Sequence, residues 1–252
     1  MFAIGVTALG ILCFINKDFI IGRPPAWDFS YPINPALAYV SGTAIIISCI
    51  AILIHKKGNL AAWLIAILIL LLSVSRHILH FMDDWPNTFK SFALFGSALI
   101  VAATCNINGK MNNMLIWTGT ISLSVFFMVC GYSHFKFYDF VKEFIPAYLP
   151  MHGFLTSFTA ICLLAGGVGM LIPATRKWAA LLSGLMVAGW FLLLHIPRFL
   201  ANTNDASDRM GVCESFAFAG IFFVLAAIFD RLDKKNNLTS KTKNFFDKYY
   251  VN

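Results

Sequence analysis

The stretch at residues 51–81, AILIHKKGNLAAWLIAILILLLSVSRHILHF, has a related stretch 118 positions later at residues 169–199, GMLIPATRKWAALLSGLMVAGWFLLLHIPRF. Aligned without a gap, 8 of the 31 positions are identical, and His77 falls on His195. A second pair of segments, SFALFG at 91–96 and SFAFAG at 215–220, aligns at a shift of 124. Because self-similarity at a fixed shift indicates a repeated structural unit, the sequence predicts two copies of one helical unit.

The composition indicates a membrane protein. Hydrophobic residues make up 59% of the chain and charged residues 12%, and the mean hydropathy is +0.75, whereas a soluble domain carries about 25% charged residues. A helix needs roughly 20 apolar residues to cross a bilayer. The sequence predicts eight spans, at residues 2–15, 34–54, 60–80, 90–106, 114–133, 151–173, 178–197 and 212–230. The first span lacks the flanks of a signal peptide, so we expect it to be retained.

The predicted fold is therefore an all-α membrane protein with eight transmembrane helices arranged as two parallel four-helix repeats. An even number of spans in each repeat returns the chain to the same side, so the repeats are related by an axis along the membrane normal. We expect the first repeat at residues 1–110, the second at 111–231 and a basic tail at 232–252.

The charges predict the orientation of the chain in the membrane. The net charge is +7, and Lys and Arg are concentrated in alternate loops and in the tail. The intervening loops are acidic or mixed, with Asp83 and Asp84 in one and Asp205 and Asp208 in another. The positive-inside rule then places both termini in the cytoplasm, in a bacterial inner membrane. The expected partner of the basic tail is the lipid bilayer, and nucleic acid is not expected to bind.

An aromatic stretch separates the first two spans of the second repeat. Phe137, Phe140, Val141 and Phe144 recur at helical spacing between charged residues. This pattern is typical of an amphipathic helix that lies in the membrane interface. Residues 16–32 are the expected counterpart in the first repeat.

Most of the histidines fall near the predicted outer ends of the spans, where ionisable side chains face protein or water rather than lipid. We expect these residues to form a polar site, although no catalytic residue is assigned. The candidate residues are His77, His80, His134, His152, His195 and Arg198.

Three interpretations of this polar site are open. The side chains could anchor to lipid headgroups or pair with Asp83, Asp84, Asp205 and Glu214. They could bind a quinone or a redox partner, with histidine donating to a quinone carbonyl. His77 and His195, which are equivalent in the repeat, could instead ligate a metal ion or haem, since paired histidines are suitable ligands.

Residues 131–180 resemble the DoxX-like membrane proteins. The resemblance is carried by the motifs Gly131-x-x-His134-Phe135, Ile145-Pro-x-x-Leu-Pro150 and Gly166-Gly-x-Gly-x-Leu-x-Pro173, followed by Thr175-Arg176 and Ala179-Ala180. It implies a four-helix membrane bundle as the unit, and hence two fused DoxX-like units with the second better preserved.

The same resemblance implies a role at the quinone level. Some DoxX-like proteins resemble or form the membrane subunit of thiosulfate:quinone oxidoreductase, and others accompany redox-protective assemblies. In this chain the family's outer histidine is His134. Two positions depart from the pattern: Leu163 stands where the family often has an acidic residue, and Asn16 stands in the first copy where the second has His134.

We therefore expect an inner-membrane protein of DoxX type that supports redox chemistry at the quinone level, with a polar site facing the periplasm. A noncatalytic scaffold or accessory subunit of a larger membrane complex is the first alternative, with a redox or membrane-complex protein as its partner. A small-solute transporter is the second alternative, since repeats of this kind are common in transporters.

Overall fold

The computed structural model describes residues 1–26, 33–105 and 111–250, with side chains described as far as residue 235. In these ranges all regular secondary structure is helical. In chain order the helices are α1 (Phe2–Asn16), α2 (Ile33–Leu53), α3 (Gly58–Ile69), a π-helical turn (Leu70–Val74), α4 (Ser75–Leu79), α5 (Trp85–Thr104), α6 (Asn113–Lys136), α7 (Tyr138–Phe144), α8 (His152–Leu171), α9 (Arg176–Trp190), a second π-helical turn (Phe191–His195), α10 (Ile196–Ala201) and α11 (Ala206–Tyr250).

The all-α class is confirmed, and the chain is a multi-pass membrane protein by the length and composition of its helices. Among the described residues, six helices are long and apolar enough to cross a membrane: Ile33–Leu53, Gly58–Leu79, Asn113–Lys136, His152–Leu171, Arg176–Ala201 and Ala206–Lys235. The other two predicted spans fall on α1 and α5. The 15 residues of α1 reach about 22 Å at 1.5 Å per residue, less than the bilayer core. The first half of α5 is polar and includes Lys90.

The helices pack in two groups. In the first half α1 packs on α2, α2 on α3 and α3 on α5. In the second half α6 packs on α8, α8 on α9 and α9 on α11. The halves meet mainly where α5 packs on α6 and where α1 packs on α11, and α5 also contacts α11.

Glycines lie at both contacts between the halves. On α5 and α6, a methyl group added to Gly119 would overlap the carbonyl oxygen of Gly96. On α1 and α11, a methyl group added to Gly220 would lie 2.6 Å from the backbone nitrogen of Phe2. Small residues let membrane helices approach closely enough for backbone packing, so these positions set the distance between the two halves.

Residues 17–26, which we call the inserted segment, fold into the first half of the protein. The exposed fraction is 1% for Phe19 and 0% for Ile21, so both side chains belong to the core. Arg76 holds the segment in place, because its guanidinium donates to the carbonyl oxygens of Phe19 at 3.0 Å and Pro25 at 2.7 Å and pairs with Asp18 at 2.9 Å. Gly22, with φ +81°, makes the turn between Ile21 and Arg23.

The corresponding stretch of the second half stays at the surface. It forms α7, at the residues where the sequence predicts an amphipathic helix, and α7 has no buried residue. Phe140 is 66% exposed. Residues 17–26 are therefore folded inward, whereas α7 lies at the surface.

The close contact between α5 and α6 predicts that Gly119→Ala destabilises the protein. The added methyl group must displace backbone, and overpacking of this kind costs about 1–3 kcal/mol. Gly189→Ala is the matched control, because nothing lies within 4 Å of a methyl group there. Thermal unfolding in detergent should show a lower Tm for Gly119→Ala and an unchanged or higher Tm for Gly189→Ala. Equal Tm values for the two variants would contradict the close packing.

Candidate functional site

A cavity of about 550 Å³ opens within the second half of the protein. Its walls come from α6, α8, α9 with the following π-helical turn, and α11, and α7 contributes Phe140, Val141 and Phe144. Three side chains from the first half complete it: Asn87 and Lys90 of α5, and Arg23 of the inserted segment. A pocket of this size with apolar walls and a few polar groups is typical of a small-molecule site.

The cavity has a charged end centred on Glu214. The Oε2 atom of Glu214 lies 3.3 Å from Lys90 Nζ and 3.4 Å from Arg23 Nε. The side chains of Glu214 and Lys90 are only 6% and 16% exposed. Because a buried charge is costly unless it is paired, one carboxylate shared by two cations is a stable arrangement. It leaves the charged end with one positive charge in excess.

Glu214 also keeps one oxygen free. Its Oε1 atom is buried and has no hydrogen-bond partner among the residues that the structure describes. An unsatisfied buried acceptor is unfavourable by roughly 1–3 kcal/mol, so such groups are usually met by water or a ligand. Glu214 thus offers an acceptor to a ligand that enters the cavity.

Two histidines, His134 and His195, line the cavity. His134 is bound by its own helix, since its Nδ1 lies 2.7 Å from the carbonyl oxygen of Cys130. A carbonyl can only accept, so Nδ1 donates and Nε2 is left with a lone pair. His195 makes no hydrogen bond within the described residues, and it packs against Gly211, where an added methyl group would lie 2.8 Å from its Nδ1. The cavity therefore contains one histidine acceptor and one histidine whose ring nitrogens are both available.

Most of the remaining lining residues are aromatic or aliphatic. Phe126 and Phe218 stack with ring centroids 5.2 Å apart, and Trp190 and Leu163 line the cavity with them. Arg198 lies behind this wall, with its guanidinium 3.5 Å from the centroid of Phe144. An apolar body with a polar end, rather than a fully polar solute, matches this distribution.

Two of the six predicted site residues, His134 and His195, line the cavity. The other four lie outside its lining. His77 bonds to Gly22 O at 3.1 Å, His152 bonds to Pro146 O at 3.2 Å, His80 pairs with Asp83 at 3.7 Å and Arg198 pairs with Asp208 at 2.9 Å. His80 pairs with Asp83, one of the carboxylates that the anchoring interpretation names, whereas the partner of Arg198 is Asp208, which it does not name.

The metal interpretation requires His77 and His195 to ligate the same metal ion or haem. His77 is buried and its Nε2 is already bonded to the carbonyl of Gly22, while His195 lies in the cavity lining without His77. Among the described residues, no group of three or more His, Cys, Asp or Glu side chains could hold a metal ion.

Arg23 and Lys90 were not predicted as members of the site, and Glu214 was named only among the carboxylates that could pair with it. The sequence does contain a signal for Lys90 and Glu214, because both are ionisable residues within predicted spans. They also stand 124 positions apart, which is the shift that aligns residues 91–96 with 215–220. Residues that correspond in a repeat and also contact each other lie near the axis that relates the repeats. Arg23 has no such signal.

Comparison with known proteins adds one similarity. Residues 123–214 match a family described as a domain of unknown function, DUF8561. This segment runs from α6 to the start of α11 and contains most of the cavity lining. No curated protein and no solved structure matches the chain.

The shared carboxylate predicts that Glu214→Gln destabilises the protein, because Lys90 and Arg23 lose their counter-charge. Breaking a buried ion pair costs about 3–5 kcal/mol, and thermal unfolding in detergent measures the loss. Adding Lys90→Met should recover part of it, since Arg23 is 25% exposed and can be hydrated. Asp83→Asn, in an ion pair with an 80% exposed carboxylate, is the control and should leave the Tm unchanged. Equal effects of the two carboxylate substitutions would contradict the assignment.

Proposed function

We propose that the protein consists of two DoxX-like four-helix units with eight spans in all. Helix boundaries support the register of 118 residues: α2 and α8 end at Leu53 and Leu171, and α3 and α9 begin at Gly58 and Arg176. A π-helical turn follows both α3 and α9. In the 118-residue register the second turn begins three residues later than the first.

The contacts between the halves support the same relation. Gly96 corresponds to Gly220 at the shift of 124, and Met1 corresponds to Gly119 at the shift of 118. Gly96 packs against Gly119, and Gly220 packs against Met1. Equivalent positions thus make equivalent contacts, which is what twofold rotation of one unit onto the other produces.

We further propose that both termini are cytoplasmic and that the cavity belongs to the periplasmic half of an inner-membrane protein. The helical segment Gly58–Leu79 supports this orientation, because Lys56 and Lys57 precede it and Asp83 and Asp84 follow it. Cations are retained on the cytoplasmic side. By the register of the repeat, His195, which follows α9, lies on the same side of the membrane as Asp84.

Cysteine labelling tests this orientation. Single cysteines at Lys57→Cys and Asp84→Cys, in a background without the six native cysteines, should react with a membrane-impermeant maleimide from opposite sides of sealed inner-membrane vesicles. We expect residue 84 to be labelled from the periplasmic side and residue 57 from the cytoplasmic side. Labelling of both from one side would rule out the topology and the outward-facing cavity.

The function that the cavity supports best is redox chemistry at the quinone level. The observation that carries the proposal is one cavity that combines aromatic walls, two histidines in the lining, and a positively charged end with a free carboxylate oxygen. A quinone has the matching shape, an apolar ring and tail with oxygens that accept hydrogen bonds. Its reduction consumes two electrons and two protons, so the electrons would come from a redox protein partner.

The departure at Leu163 fits this proposal. The DoxX-like pattern often has an acidic residue there, and Leu163 lines the cavity together with Glu214 of α11. A carboxylate is therefore supplied to the same cavity from a different helix. Proton transfer beside a bound quinone does not require an acid at position 163.

An accessory role in a larger membrane complex is the second candidate. The supporting observation is the length of α11, which continues as a helix to Tyr250, whereas the predicted apolar span ends at residue 230 and the sequence after it is polar. A helical extension beyond the span offers a docking element to a partner protein. This role predicts a stable partner after gentle purification.

Quinone binding tests the leading proposal. A short-chain benzoquinone should bind the purified protein at one site per chain in calorimetric titration, and native quinone should be recovered by solvent extraction. Leu155→Trp, which adds bulk to the cavity lining, should weaken binding tenfold or more, equivalent to about 1.4 kcal/mol. Leu53→Trp, which is 49% exposed at the end of α2, is the matched control and should bind as the unmodified protein does. A protein that binds no quinone would instead favour the accessory role.

A further inference from the structure

In the first half, the inserted segment lies among side chains that correspond to side chains lining the cavity in the second half. Residues 76, 77 and 91 correspond in the repeat to residues 194, 195 and 215, and the latter three all line the cavity. In the first half, Arg76 holds the carbonyls of Phe19 and Pro25, while His77 and Ser91 hold the carbonyl of Gly22. Three lining positions thus have counterparts that bind backbone carbonyls.

The Gly22 carbonyl is bound by two donors. His77 Nε2 lies 3.1 Å and Ser91 Oγ 3.2 Å from its oxygen. A carbonyl oxygen only accepts, so both side chains donate to it. The adjoining residues Phe19 and Ile21 are buried in the core. The first half therefore holds a carbonyl group carried by an apolar body, and that body is part of its own chain.

The same two donors are present in the second half, without a carbonyl from the chain. His195 corresponds to His77 and makes no hydrogen bond within the residues described. Ser215 corresponds to Ser91, and its hydroxyl donates back to the carbonyl of Val212 on its own helix at 3.1 Å. A serine hydroxyl rotates freely, so it can turn from this backbone bond to a ligand. The chain segment that could supply a carbonyl forms α7 outside.

We propose that the cavity binds an apolar ligand through a carbonyl oxygen that accepts hydrogen bonds from both His195 and Ser215. This assignment rests on the proposed function in naming the quinone ring as the source of the carbonyl. The ester carbonyl of a membrane lipid has the same chemistry and is the other source. The excess positive charge from Arg23 and Lys90 favours an electron-rich oxygen at this end of the cavity.

The experiment measures binding of two probes, a decyl-benzoquinone and a short-chain diacylglycerol, by calorimetric titration of the full chain in detergent. His195→Leu and Ser215→Ala should each weaken quinone binding about tenfold, and His195→Gln, which keeps an N–H donor, should recover part of the loss. An analogue of the quinone probe with hydrogen in place of both carbonyl oxygens should bind equally weakly to all variants. Ser91→Ala is the matched control in the first half and should leave binding unchanged, while thermal unfolding checks that each variant folds.

The outcomes separate this inference from the proposed function. Quinone binding that is unaffected by His195→Leu and Ser215→Ala would overturn the inference and leave the quinone role standing. Diacylglycerol binding that depends on both residues, without quinone binding, would support the inference and overturn the quinone role. Binding of neither probe would overturn both. An infrared carbonyl band of ¹³C-labelled quinone that shifts to lower frequency on binding, and shifts less in His195→Leu, would support the hydrogen bonds directly.

Discussion

The pairing of Glu214 with Lys90 and Arg23 constrains the rest of the structure. An ionised group in a medium of low dielectric constant must find its partners within the protein, because lipid tails supply none. The three groups belong to α11, α5 and the inserted segment, so the pairing fixes the positions of three elements relative to one another. It also brings the two halves together at a point where hydrophobic burial contributes little, since lipid is as apolar as the helix surfaces.

The helices could be predicted from the sequence, because long apolar segments in a membrane can satisfy their backbone only as helices. Each of the eight predicted spans falls on a helix, and the aromatic stretch at residues 137–144 falls on α7. Within the site, two of the six candidate residues, His134 and His195, line the cavity. They could be predicted because a histidine near the end of an apolar segment needs a polar environment.

The remaining members of the site depend on contacts that the sequence does not reveal. The acceptor for His77 is the backbone carbonyl of Gly22, and every residue carries a carbonyl, so no residue type marks it. Lys90 and Arg23 are separated from Glu214 by long stretches of chain, and their charges serve equally well as signals of topology. Their two ion pairs with Glu214 appear only in the folded chain, where α5 and the inserted segment both reach α11.

The inserted segment has an anchor that α7 lacks. Arg76 binds the inserted segment through Asp18 and two carbonyls, whereas Leu194, which aligns with Arg76 at the shift of 118, can make no such bonds. Without that anchor, the polar backbone of an inserted segment would have fewer partners inside the second half. The chain between α6 and α8 carries the charged residues Lys136, Asp139 and Glu143, and it stays at the surface.

The position of Arg23 has a consequence for biosynthesis. Its guanidinium donates to the carbonyl of Ser207, 184 positions later in the chain, at 2.9 Å, and pairs with Glu214 beyond it. The ribosome releases residue 23 long before it makes α11. Until Ser207 and Glu214 have been made, water must solvate the Arg23 guanidinium. The cavity acquires its charged end only when the last helix enters the membrane. Neither half made alone could assemble it.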